Sequence, residues 1–198
     1  MPESDAEILI ALRESASAEL EFFSNKGKEE RERWVVLTFL QRRSIAFVES
    51  EVTSPEQNSE KDVCFGNASF QIKEIVNPGL RRGADLKADY ERLKSASKLD
   101  ELVGPASAYD VPQPTTVYSL VLGEATALAR DPKYATTKAN LDLLFYVTRS
   151  RAALIREAEV DRGQLQQLGW RSISCLAGEQ ASILFARPDA PAFLRTVK

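Results

Sequence analysis

Residues 141–147, Leu-Asp-Leu-Leu-Phe-Tyr-Val, constrain the fold more than any other stretch of the chain. The run is too short for a core helix and nearly continuous in apolar side chains, which is the pattern of a strand covered on both faces. Such a strand sits in the middle of a mixed sheet flanked by helices. The rest of the chain must therefore supply partner strands and helices for two outer layers.

Helices are legible as apolar residues three and four apart. Residues 4–23 carry Ile8, Leu9, Leu12, Ala16 and Leu20 on one face behind a capping box of Ser4 and Glu7. Asn25-Lys26-Gly27 ends this helix, and a second begins in the charged run 28–33 and turns apolar at Trp34, Val35, Val36, Leu37, Phe39 and Leu40. Arg42 and Arg43 at its end suit the helix dipole. Residues 84–103, with Leu86, Tyr90, Leu93, Leu99 and Leu102 inward, and residues 115–129 give two more helices. Trp34, Tyr90 and Tyr118 read as core residues. Residues 45–52 alternate as a strand, and 53–61 form a loop. Two runs around Gly66-Asn67 predict a hairpin over 62–76, closed by a break at 77–79. A connection over 104–114 follows the third helix. Residues 152–168 read as a helix broken near Gly163, with 152–155 also readable as strand. A second hairpin is predicted from 170–176 and 181–186, followed by a short helix after Pro188.

Composition narrows the chemistry. The 198 residues include no histidine, which removes the Ser-His-Asp triad, the Cys-His dyad and histidine-based zinc hydrolysis. Carboxylates, amides, lysine, hydroxyls or thiols must do any catalysis. A net charge of −3 argues against non-specific coating of nucleic acid, though not against a local basic groove. No apolar run is long enough to span a bilayer, and the acidic N-terminus lacks the features of a secretory signal, so a cytoplasmic protein without membrane association is expected. Cys64 and Cys175 lack the paired spacing of a zinc site and read as two buried thiols.

The stretch 62–76 carries the candidate site. Residues two apart on a strand share a face, so Gln71 and Lys73 project together while Ile72 points into the core, and Asp62 meets them across the hairpin. Magnesium or manganese takes oxygen donors and keeps several waters, so Asp62 and the Gln71 amide oxygen suffice as protein ligands. Lys73 is placed to orient or deprotonate a water, or to offset charge building on a phosphate. Glu29, Glu32 and Val36 recur at helical spacing and share a face toward the hairpin. Arg81, Arg82 and Lys87 follow closely enough to hold a phosphate backbone, although a two-arginine turn is more often plain surface. A Gln-x-Lys strand is also an ordinary solvated face, so a catalytic protein and a binding protein both remain open.

Taken together, Asp62, the tripeptide Gln71-Ile72-Lys73 and the order helix, three-stranded meander, helix, strand resemble the PD-(D/E)xK nuclease superfamily. More narrowly, the chain resembles a bacterial family of uncharacterised proteins described as "putative endonucleases". The resemblance implies an α/β, restriction-endonuclease-like fold: a mixed central sheet flanked by helices, with an N-terminal helical extension and a C-terminal hairpin. It implies one domain, with a packing helix in 1–26, a nuclease-like core in 28–147 and an extension in 148–198. It also implies Mg2+ or Mn2+ held by Asp62 and Gln71 with Glu32 as accessory ligand, Lys73 beside the water, and nucleic acid, DNA foremost, as substrate. Two departures stand out: Lys61 replaces the proline that usually precedes the acidic residue, and neutral Gln71 replaces a glutamate. The alternatives are a nuclease-fold binding or regulatory protein without catalysis, and a partner-binding module that forms a homodimer through its N-terminal helix.

Overall fold

The computed structural model describes residues 5–56, 59–76, 82–103, 114–148, 158 and 160–195. The chain divides into two compact units, Met1–Arg31 with Pro78–Asp110 and Glu32–Asn77 with Val111–Lys198.

The first unit is helical. Helix α1 (Asp5–Phe22) packs against α3 (Arg82–Ser95). Arg13 donates from Nε to Leu93 O at 3.0 Å and from Nη2 to Ala96 O at 2.7 Å. Leu93 O lies in the last turn of α3 and Ala96 O just beyond it, so Arg13 caps the helix end from outside. This explains why α3 stops at Ser95, where apolar spacing predicts a helix to residue 103. A short 3-10 turn, Leu99–Leu102, follows it. Gly27 is required by close approach, since a Cβ there would lie 2.4 Å from Phe22 O.

The second unit is built on one six-stranded sheet in the order β1 (Val52–Thr53), β2 (Val63–Phe65), β3 (Ala68–Ile75), β4 (Asp142–Val147), β5 (Ser172–Ala177), β6 (Gln180–Ala186). Strands β3, β4 and β5 run parallel, and the remaining pairs are antiparallel. Helix α2 (Lys28–Arg42) covers one face through Val35, Val36, Phe39 and Leu40, which meet Phe70, Ile72, Leu144 and Leu176. On the other face Val117, Val121 and Ala125 of α4 (Pro114–Arg130) and Leu165 of α5 (Arg162–Gln167) meet Leu143, Phe145, Trp170 and Ile173. The C-terminal α6 (Ala192–Arg195) adds Leu194 to the α2 side. This is the mixed sheet flanked by helices that residues 141–147 demand.

Both predicted hairpins turn in two residues. Phe65 pairs with Ala68 and Ala177 with Gln180, and each intervening pair begins with a glycine at φ +54°, Gly66 and Gly178. A glycine at positive φ in the first central position is the type II′ solution, whose twist matches that of the strands.

Three expectations change. Residues 45–52 form no long strand; a 3-10 turn, Glu49–Glu51, precedes the two-residue β1. Arg33 of α2 holds this bend, donating to Val52 O and Glu49 O at 2.9 Å each. Trp34 is not core but 40% exposed. Tyr90 and Tyr118 are only half-buried; the Tyr118 hydroxyl bonds the Asp161 backbone at 3.1 Å, and burial raises its phenol. The breaks at 77–79, most of the connection over 104–114 and the start of the helix expected from residue 152 lie outside the described residues.

The apolar run of β4 contains a buried carboxylate. Asp142, with no exposed surface, accepts from Ser69 N–H at 2.9 Å, Arg171 Nε at 3.0 Å, Ser172 Oγ at 2.8 Å and Arg171 Nη2. Arg171 also donates to Asn67 O at 3.2 Å, so the network ties the first hairpin to β4 and β5. Removing one partner leaves an uncompensated buried charge, which costs about 3–5 kcal/mol. Asp142→Ala is therefore expected to lower stability by about that amount in urea denaturation, and pairing Asp142→Leu with Arg171→Met to recover part of it. A loss below about 1 kcal/mol in the single variant would contradict the network's role.

Cys64 and Cys175 are both free, Cys64 half-buried and Cys175 buried. Burial pushes the Cys175 thiol from 9.0 up to about 12. A folded pKa above the unfolded one keeps its contribution intact below pH 9 and loses it between about 9 and 12, because only the unfolded thiol ionises there. Over that window the stability of the wild type should fall faster with pH than that of Cys175→Ala, by up to about 1.4 kcal/mol per pH unit. Denaturant titrations at pH 8, 9 and 10 measure the difference.

Candidate functional site

The antiparallel register sets the site. Val63 lies opposite Phe70, and Asp62 stands just ahead of β2. Asp62 N–H donates to Phe70 O at 2.8 Å, one residue out of the β2–β3 register, so the regular ladder stops at Val63. Val63 and Phe65 belong to the cluster under α2, as do Phe70 and Ile72. By alternation Gln71 and Lys73 take the other face, beside their parallel partners Leu143 and Phe145, and the Asp62 carboxylate meets the Gln71 amide.

Gln71 is buried, with 2% of its surface exposed, where a strand-surface glutamine would be solvated. Its Nε2 donates to Asp62 Oδ2, and the Ile72 N–H donates to the same oxygen at 2.8 Å. The carboxylate determines which way the amide points, because only the NH2 end can donate to it. Gln71 Oε1 is left buried with no hydrogen-bond partner among the described residues. An unsatisfied buried acceptor costs about 1–3 kcal/mol, and a native structure tolerates few of them. Lys73 is half-buried on the same face, and its side chain forms no hydrogen bond or ion pair with another described residue.

The structure thus brings Asp62, Gln71 and Lys73 to one face. It does not bring Glu32 there. Val36, one helical turn beyond Glu32, does face the hairpin, but α2 packs on the Phe70 and Ile72 side of the sheet, opposite Gln71 and Lys73. Strand parity decides this, and helical spacing alone does not register it. Glu29, Arg82 and Lys87 belong to the helical unit; Arg82 lies over the Phe23 ring at 4.3 Å, Lys87 is exposed, and Arg81 lies outside the described residues.

A divalent cation at this site would have one carboxylate and one amide oxygen from the protein. No group of three acidic, cysteine or histidine side chains gathers among the described residues. Magnesium accepts such a sparse set, since it keeps much of its water and takes further oxygens from phosphate. The orphaned Gln71 Oε1 is the donor type that it needs.

The buried Asp142–Arg171 network escaped the sequence reading. A lone aspartate inside an apolar strand, with an arginine just ahead of the next strand, is the signal that points to it.

No curated protein matches the chain. Among solved structures, a protein of unknown function from Pseudomonas aeruginosa strain PAO1, described as belonging to the monooxygenase superfamily, is similar in fold. It is 22% identical, with a TM-score of 0.59 over 98% of this chain and 92% of that one. A family model matches residues 4–198, and the chain therefore belongs to the family described as "Putative endonuclease, protein of unknown function (DUF1780)".

Proposed function

We propose that the chain is a metal-dependent nuclease of restriction-endonuclease-like fold, hydrolysing phosphodiester bonds of nucleic acid, DNA foremost, at Asp62, Gln71 and Lys73. The observation that carries this reading is the buried, unpartnered Gln71 Oε1 beside the Asp62 carboxylate, on the face that also bears Lys73. The family description supports the activity class, and the order of α2, the β1–β3 meander, α3, α4 and then β4 supports the fold.

Asp62 and Gln71 would hold Mg2+ or Mn2+, which when bound supplies Lewis acidity and an activated water. The Asp62 carboxylate keeps the Gln71 amide turned so that its oxygen is the free end. The hydrophobic wall from Leu143 and Phe145 lowers the local dielectric and strengthens each charge interaction nearby. Lys73 offers Nζ as a donor to a phosphate oxygen as negative charge grows on it. Glu32 has no part in this arrangement.

Single-stranded, double-stranded and branched DNA and RNA, incubated with the protein and Mg2+ or Mn2+, should be cut in a metal-dependent way. Lys73→Ala should slow cleavage by about 10²–10⁴-fold. Absence of cleavage, or equal rates for the variant, would sink the catalytic reading and leave a binding protein of the same fold.

Gln71→Glu gives a second check that needs no substrate. Two carboxylates side by side repel each other, so the variant should be less stable than wild type without metal. Saturating Mg2+ should raise its melting temperature by several degrees, corresponding to about 2–3 kcal/mol at a hundred times Kd. A melting temperature indifferent to Mg2+ in both proteins would remove the metal from the site.

A further inference from the structure

Where β4 ends at Val147 and the Gly178-Glu179 turn leaves β5, the sheet unit has a cleft of about 200 Å³. It contains none of Asp62, Gln71 and Lys73, and its Tyr146 packs on the α2 face of the sheet, opposite Gln71 and Lys73. It lies at the carboxyl ends of parallel strands, where the crevices of α/β sheets take ligands. The volume falls below the roughly 300–1,000 Å³ of pockets for drug-sized molecules. A single ring system fits that space and a whole cofactor does not.

Its lining combines three kinds of group. Trp34 is 40% exposed, and Tyr146 braces it edge to face, with ring centroids 5.5 Å apart and planes at 74°. Arg42 donates to Gly178 O and, at 3.2 Å, to Glu179 Oε1, and its guanidinium carries more donors than these two bonds use. Glu179 sits at the tip of a tight turn with 93% of its side chain exposed. An aromatic face, a guanidinium and a carboxylate within one ring-sized cleft match an unpaired nucleobase. The base stacks on the indole, its exocyclic amine donates to the carboxylate, and its phosphate accepts from the arginine. A cationic peptide side chain fits less well, because it would meet the Arg42 charge.

We propose that this cleft binds one unpaired nucleobase of a single-stranded nucleic acid, stacked on Trp34, with Glu179 taking the exocyclic amine and Arg42 the adjoining phosphate. The inference stands apart from the metal-dependent reading, because no residue of that site lines the cleft.

The chain has two tryptophans, and Trp170 is fully buried with its Nε1 bonded to Ala125 O at 3.3 Å, so quenching by an added ligand reports on Trp34. The full chain is titrated in EDTA with short oligo-dC and oligo-dT and with a duplex. Saturable quenching by oligo-dC is expected, with weaker binding of oligo-dT, whose base has no exocyclic amine. Trp34→Ala, followed by fluorescence anisotropy of labelled oligo-dC, should bind about tenfold more weakly. Glu179→Ala, at a position too exposed to affect folding, should abolish the preference for oligo-dC. Lack of saturable quenching, equal binding of the duplex, or undiminished affinity in Trp34→Ala would overturn the proposal. Metal-dependent cleavage without quenching would sink this inference and leave the nuclease reading standing; quenching without cleavage would do the reverse.

Discussion

The Asp142 carboxylate is the interaction on which the sheet unit depends most. It is completely buried, yet it accepts hydrogen bonds from β3, from β5 and from the arginine just ahead of β5. A carboxylate in an apolar layer is tolerable only when its lone pairs are taken, and these partners take them. The same Arg171 reaches back to the Asn67 carbonyl at the hairpin turn. Strand β3, which carries Gln71 and Lys73, is thereby tied to the centre of the sheet through polar bonds as well as through its ladder.

That anchoring bears on the candidate site. Asp62, just ahead of β2, meets Gln71 through its carboxylate, and Lys73 follows Gln71 on the same face because strands alternate. Rigid strands place side chains more closely than loops do, which the proposed two-ligand cation site would require. The Gln71 amide oxygen is buried with no hydrogen-bond partner among the described residues, and the proposed cation would give it one. The cleft at the other end of the parallel strands uses a different resource: a tryptophan that the α2 sequence presents as core but that stays half in solvent.

Much of the frame was legible from the sequence. The apolar run 141–147 announced a central strand, Gly66-Asn67 announced a two-residue turn, and the second hairpin was legible with its turn placed over 177–180, which the structure tightens to Gly178-Glu179. The spacing of Gln71, Ile72 and Lys73 announced which side chains share a face. Each is a local rule, set by backbone period or by a glycine at positive φ, and needs no knowledge of distant neighbours. The limits of α3 and β1 were not legible, because Arg13 and Arg33 set them from other helices by capping carbonyls.

The sequence by itself therefore determined the elements, the parity of the site strand and the exclusion of histidine chemistry. Tertiary structure alone decided that Gln71 is buried, that Glu32 lies across the sheet from it, that Asp142 is neutralised by Arg171 and that Trp34 lines a cleft. The physical reason is range. Periodicity and turn geometry act over a few residues, whereas burial and hydrogen-bond satisfaction depend on groups such as Ser69 and Asp142, 73 positions apart, that meet only when the sheet closes.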